Sequence, residues 1–297
     1  MPTLADRLDR IRVVLSRPTY NGNLGQVARA MTNFGLRRLD IVGGAADPRS
    51  DEARWYAREE GLPVLGSARR FEALDAALAD CRTVIGTSRR TGRERRPTGG
   101  PEEIFRELAP WRSPHPTALV FGPEANGLSS QELDLCQQIL VIPADPLFPS
   151  LNLAHAVAVV GYALARAASA DEGAAQPETD DPPATHAELE AMYAHARRVW
   201  LRVGYIQTPD PDTLLRRWRR MFGRARLRSS EVGFIRALLH QTDWCAEVAE
   251  LPHGGARETP QAFDKHRVRL NAPPDESDAE SADDPADECG GPDNRGE

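Results

Sequence analysis

The stretch "TALVFGPEANGLS", Thr117 to Ser129, leaves an uninterrupted apolar run through a Gly-Pro-Glu-Ala-Asn-Gly loop and ends on a residue suited to capping a helix. A short apolar run bounded by turn residues and followed by a helical pattern reads as a buried strand of a parallel sheet entering a crossover helix. The loop carries a carboxylate, Glu124, between Gly122 and Gly127. It has neither the G-x-G-x-x-G spacing nor the Gly-Lys-Ser/Thr ending of loops that cradle phosphate, so another ligand or contact must account for it.

The same alternation continues on both sides of this stretch. Apolar runs at 11–16, 39–44, 82–88, 117–122 and 138–143 alternate with helical patterns at 22–34, 50–60, 70–79, 101–108, 129–136 and 151–168. The order predicts an α/β fold, a parallel sheet with helices on both faces. Ligands of such sheets bind beyond the carboxyl ends of the strands, which makes the loops after Ser88, Gly122 and Pro143 the expected site.

A chain of 297 residues has room for one large α/β domain and an accessory piece. Residues 1–170 are expected to form the domain, and "DEGAAQPETDDPPA" (171–184) has the composition of a linker. Residues 185–251 read as a small α-helical unit, with Leu189, Met192, Tyr193, Ala196, Val199 and Trp200 at helical spacing. Residues 252–297 are polar, Pro-rich and acidic, and disorder is expected there. Asp275 to Glu297 hold ten acidic residues against Arg295 alone, so this tail carries −9 of a net −7 and the remainder is mildly basic at +2.

The four cysteines form no C-x-x-C pair, which predicts no metal site and no disulfide framework and fits a reducing compartment. "MPTLADRLDR" has no apolar stretch of signal-peptide type. "LNLAHAVAVVGYALARAA" is interrupted by Asn152, His155, Tyr162 and Arg166 and reads as a buried core helix, not a membrane span. A cytoplasmic protein is expected. Lys265 is the only lysine beside 36 arginines, so the clustering of arginines is informative and their number is not.

Three motifs stand in order along the chain: "NGNLGQVARAM" (21–31), "FGPEANGLS" (121–129) and "IPADPLFPSLNLAHAVAVVGYAL" (142–164). Together they resemble the three motifs of the SPOUT class, within it the TrmH-like ribose 2'-O-methyltransferases, and most closely the TrmJ-type tRNA enzymes. The resemblance runs from about Arg10 to Ala168 and continues through the helical segment to about Glu247. It implies a deep trefoil knot in the C-terminal half of the α/β domain, which ordinary topology rules exclude and periodicity does not reveal.

The resemblance also implies S-adenosylmethionine as cofactor, bent in the knot and held by backbone groups of three loops. Here those are Thr87, Ser88 and Arg89, then Gly122, then Ile142 with Pro149, Ser150 and Leu151. Glycine at 122 is expected to let the backbone approach the cofactor where a side chain would intrude. Glu124 matches the motif glutamate and would organise the knot loops or the substrate pocket. Arg29 matches the motif arginine and takes the catalytic role. A guanidinium with a pKa above ~12 is a poor base, so the role is either base or stabiliser of the developing alkoxide. Asn23, Ser150 and Asn152 match the remaining polar positions and would place the nucleotide or support Arg29.

Between Arg197 and Arg228 lie ten arginines and two acidic residues, with Trp218 and Phe222 interleaved. Arg216, Arg217, Arg219, Arg220 and Arg224 are the expected RNA-binding residues, against the alternative of a solvated helix face; the two aromatics read as core. "SRRTGRERRPTGG" (88–100) is a second basic cluster beside the cofactor loop. The resemblance implies a homodimer whose active site draws on both chains, and tRNA as substrate, methylated at the first nucleotide of the anticodon loop. A ribosomal RNA methyltransferase of the same class and a non-catalytic RNA-binding knotted dimer are the alternatives.

Overall fold

Strands form where β-branched and apolar residues run without interruption. Ile11–Ser16 is buried along its whole length, and neighbouring side chains on it point into different cores. The structure, a computed structural model, describes residues 3–89, 98–171, 173, 177, 179–206 and 211–248. The chain runs α1 (Leu4–Arg7), β1 (Ile11–Ser16), α2 (Asn21–Asn33), β2 (Arg38–Val42), α3 (Asp51–Gly66), β3 (Arg69–Phe71) and α4 (Leu74–Leu78). It continues as β4 (Thr83–Thr87), α5 (Pro101–Leu108), β5 (Thr117–Phe121), α6 (Ser130–Asp134), β6 (Gln138–Leu140) and α7 (Leu153–Ala170). Three further helices follow, α8 (His186–Arg202), α9 (Pro211–Ala225) and α10 (Ser229–Val248).

The six strands make one sheet in the order β3-β2-β1-β5-β4-β6, with every pairing parallel. One face buries Val13, Leu15, Ile41, Ile85 and Leu119 beneath α2, α3, α5 and α7. The other buries Val14, Val42, Val84, Ala118 and Val120 beneath α4 and α6. Both faces are covered, which explains strands that read as continuous apolar runs.

The helix expected at 70–79 is instead a strand, β3, followed by the short α4. Arg69 donates to the buried Asp40 of β2 through Nε at 2.8 Å and Nη2 at 2.6 Å, and this forked pair holds β3 on the sheet edge. Three residues are too few for alternation to register in sequence.

Helices α2 and α3 pack closely because glycine permits it. A Cβ on Gly25 would lie 2.1 Å from the carbonyl oxygen of Ala53, and one on Gly61 would lie 3.0 Å from the backbone nitrogen of Arg29. Both motif glycines of "NGNLG" lie inside α2, within the helix expected at 22–34. Helix α7 has the length and composition of a membrane span, but nine of its residues are buried in the core beside α2 and α5.

Thr185 and Glu188 cap α8 reciprocally, and α8, α9 and α10 enclose a core of their own containing Met192, Ala196, Val199 and Trp200. Trp218 and Phe222 pack on that core, Trp218 edge-on to Trp200 at 4.4 Å between centroids. The backbone N–H groups of His186 and Ala187 donate to Cys81 and Ala79 at 2.8 and 3.1 Å, docking α8 beside α4. The acidic tail and most of the basic cluster at 88–100 lie outside the described residues.

Candidate active site

Strands β5, β4 and β6 are neighbours in the sheet, so the three loops leaving their carboxyl ends meet. They line one half-open cleft. Thr87, Ser88 and Arg89 line it from β4, Gly122 and Glu124 from β5, and Ile142, Pro149, Ser150 and Leu151 from the segment after β6. Every residue expected to hold the cofactor is therefore brought to one place. Phe121, Leu140, Leu153 and Ala156 add an apolar floor that the motif reading misses. Their only signal in the sequence is that each sits at the end of a strand or the start of α7.

Polar side chains tie these loops together. Glu124 Oε1 accepts from Asn23 Nδ2 at 2.9 Å, and Asn23 Oδ1 accepts from Asn152 Nδ2 at 2.9 Å. Asn152 Oδ1 in turn accepts the backbone N–H of Ala154 at 2.8 Å and so caps α7. Asn152 is thus both a helix-start residue and a member of the site. The other oxygen of Glu124 accepts the N–H of Thr19 at 3.1 Å, and Tyr20 N–H donates to Oε1 at 3.4 Å. One carboxylate joins the loop after β5 to the loop after β1 and, through Asn23, to the start of α7. Partial burial works against ionisation of Glu124, but the Asn23 amide and the backbone donors outweigh it, leaving the carboxyl below the ordinary glutamate range.

The loop after β5 owes its shape to two glycines. A Cβ on Gly122 would lie 2.2 Å from Gly127 C and Leu128 N, so the loop folds back onto residue 122 itself. The loop's own backbone thus excludes a side chain at 122, while Gly122 itself lines the cleft. Gly127 has φ +66°, a left-handed conformation natural to glycine, and its N–H donates to Pro123 O at 2.9 Å. Ser129 and Glu132 then start α6 with a capping box. Glu132 also accepts from Ser16 Oγ and, at 2.7 Å, from Arg17 Nη2, which fixes the end of β1 to α6. The spacing of Ser129 and Glu132 is legible in sequence, but their link to β1 is not.

Arg29 is not brought to the cleft of its own chain. It is exposed on α2 and lines a separate shallow depression with Arg54, Trp55 and Arg58 of α3. Ser150 is exposed at the cleft.

Among the residues expected to bind RNA, Arg217, Arg220 and Arg224 are exposed on α9 and Arg216 is partly buried, donating to Thr213 Oγ1 at 2.6 Å. Arg219 departs from expectation. Both its Nη atoms bond Glu190, and the guanidinium lies 4.5 Å from the ring centroid of Tyr193, so it fastens α9 to α8.

Residues 10–162 match the SpoU rRNA methylase family, and residues 187–252 match the C-terminal domain of the tRNA methyltransferase TrmJ. The tRNA (cytidine/uridine-2'-O-)-methyltransferase TrmJ of Pectobacterium atrosepticum is 37% identical over 234 residues, covering 78% of this chain and 96% of that protein. The tRNA (cytidine/uridine/adenosine-2'-O-)-methyltransferase TrmJ of Pseudomonas aeruginosa is 37% identical over 245 residues, 79% of this chain and 94% of its own. The crystal structure of TrmJ from Z. mobilis matches with a TM-score of 0.65 at 31% identity, covering 77% of this chain and 97% of that one.

Proposed function

The chain belongs to the SpoU rRNA methylase family, in the branch that carries the TrmJ C-terminal domain, and on that premise we propose that it methylates the ribose 2'-hydroxyl of a nucleotide in tRNA. The methyl donor in this reading is S-adenosylmethionine, and the methylated nucleotide is the first of the anticodon loop. The deep trefoil knot of the SPOUT class belongs to the same proposal, as does the division into a catalytic domain at 1–170 and a helical RNA-binding unit at 185–251.

The observation that carries the reading is the single cleft at the ends of β5, β4 and β6, with its loops tied by Glu124, Asn23 and Asn152. Its wall combines loop segments with an apolar floor for a flat ring. Thr87, Ser88, Arg89, Gly122, Ile142, Pro149, Ser150 and Leu151 would hold the cofactor there. Bound S-adenosylmethionine supplies an electrophilic methyl group. The protein's own task is to hold the ribose hydroxyl in line with that methyl and to stabilise the oxygen as its proton leaves.

Arg29 meets this requirement in a homodimer, where it faces the cleft of the partner subunit. Its exposure on α2 supports this placement. So do Leu147, Phe148 and Tyr162, large apolar side chains left exposed near and along α7 in the single chain. Incubating unmodified tRNA with enzyme and labelled cofactor, then mapping the methyl group, tests the reaction. Methyl on a tRNA ribose 2'-oxygen is expected; label on a base, label only on ribosomal RNA, or none at all overturns the reading.

The arginines of α9 give a separate expected result. Replacing Arg217, Arg220 and Arg224 with alanine flattens the plot of log affinity for tRNA against log salt by about 0.7 to 0.9 for each phosphate that the protein no longer neutralises. Arg219→Ala instead costs about 2 kcal/mol of stability, because Glu190 is deprived of its partner in a largely buried pair. It leaves the salt slope alone. An unchanged slope in the folded triple variant removes α9 from the RNA surface.

A further inference from the structure

Helix α3 is broken at an unusual residue. Arg58 has φ 57° and ψ −175°, a backbone region that side-chain-bearing residues avoid and that only glycine enters without strain. A glycine at 58 would make the same kink freely, yet an arginine stands there with its side chain exposed. Its guanidinium lies 4.8 Å from the ring centroid of Trp55. Trp55 is 66% exposed, more than any other tryptophan in the chain. Buried packing explains neither side chain.

Both line the shallow depression that contains Arg29, together with Arg54, Glu59, Glu60 and Leu62. The two glutamates leave only a slight positive balance, so diffuse charge is not what this surface offers. It offers a flat aromatic ring, a guanidinium held over that ring, and two more arginines at the rim. A chain of neighbouring residues connects it to the cleft. The ring of Tyr56 lies against Gly22 in the first turn of α2, and Tyr20, just before that turn, donates its N–H to Glu124. Tyr20 and Tyr56 are themselves exposed.

We propose that Trp55, Arg54 and Arg58 form a platform on which an unpaired RNA base, next to the nucleotide that is methylated, stacks while its phosphate is held. The proposal rests on the reading of Arg29 as the residue that meets the substrate ribose. An aromatic ring with arginine beside it takes any base by its π-face, without hydrogen-bond readout. The strained backbone at Arg58 accompanies a guanidinium held over the Trp55 ring.

The test uses the full-length protein and unmodified tRNA transcripts, with affinity measured by filter binding at several salt concentrations, so that turnover is not required. Trp55→Ala weakens binding roughly ten-fold with an unchanged salt slope, and Trp55→Phe keeps most of the affinity. Arg58→Gly lowers the salt slope by about 0.7 while raising Tm by a few degrees, because the kink is relieved. Weaker binding together with a gain in stability is a result that a purely structural arginine does not give. Affinity for S-adenosylmethionine stays at its wild-type value in all three variants.

Wild-type tRNA affinity in both Trp55→Ala and Arg58→Gly overturns the platform. So does sedimentation that shows Trp55→Ala turning a dimer into monomers, since the surface would then face a second copy of the chain. A wild-type protein that methylates tRNA while Trp55→Ala binds it normally removes the platform and leaves the reaction standing. A protein that binds tRNA through Trp55 but transfers no methyl group does the reverse.

Discussion

Glu124→Ala is expected to lower kcat/KM by at least about 100-fold and to weaken S-adenosylmethionine binding, with the fold intact. The carboxylate accepts from Asn23, Thr19 and Tyr20, and Asn23 in turn positions Asn152 at the start of α7. Without it two backbone N–H groups and an amide lose their charged acceptor; the two backbone donors are exposed to solvent, so each bond is worth about 0.5–1.5 kcal/mol. The cleft walls then have no common anchor, and displacements of about 1 Å at a reacting centre cost on the order of 100-fold. The sheet does not depend on this anchor, because its cores lie beneath α2, α3, α5 and α7 on one face and α4 and α6 on the other. Circular dichroism should therefore be unchanged while calorimetric titration with cofactor and initial rates both fall. Glu124→Gln recovers only part of the loss, since its oxygen can still accept from Asn23 and Tyr20 but its NH₂ group turns toward the Thr19 N–H.

The pH dependence has a definite sign. The folded-state pKa of Glu124 is lowered, so the anchor is fully formed above the ordinary glutamate value of about 4.3 and is lost as pH falls through the lower folded value. Cofactor affinity of the wild-type protein should therefore decline as pH falls below the ordinary glutamate range, and that of the alanine variant should be flat there. Wild-type affinity and rate in Glu124→Ala would remove this residue from the site.

Strands β1, β2, β4 and β5 are readable in the sequence because a sheet covered on both faces requires apolar residues at every position, and such runs are conspicuous. Edge strand β3 is not readable. It has three residues, two of them arginines, and it joins the sheet through an ion pair with a residue 29 positions away. The kink in α3 is hidden for a related reason, since nothing in "EARWYAREEG" signals a left-handed residue and the one that takes that conformation is Arg58.

The cleft is legible because its parts follow strands, and the motif residues Asn23, Glu124 and Asn152 bond one another. Their order in the chain points to the loops but not to the bonds. One reading fails where the sequence offers only residue type: Arg219 reads like its neighbours although helical spacing turns it toward Glu190 and Tyr193. An arginine run shows that charge is present; which members reach solvent depends on what the next helix supplies.

Arg29→Ala is expected to reduce kcat by about 10² to 10³-fold while leaving cofactor affinity within error of wild type, because Arg29 is assigned to the ribose hydroxyl and phosphate and not to the methyl donor. Lysine at this position separates two roles. A base regains activity as pH rises, whereas a forked clamp on phosphate and developing alkoxide is not replaced by a single ammonium, so no rescue is expected. The proposed placement across a homodimer gives a sharper result. A cleft with Glu124 intact but lacking its own Arg29 needs only an arginine from the partner subunit. Mixing Arg29→Ala with Glu124→Ala protomers, each inactive alone, therefore creates one complete site in every mixed dimer. Random exchange makes half the dimers mixed, so activity returns to about a quarter of the wild-type value. If Arg29 served its own chain, neither half of a mixed dimer would have a complete site and nothing would return. The exchange must be confirmed with differently tagged protomers, and a tagged, mixed and inactive dimer would place Arg29 in its own subunit or outside the reaction altogether.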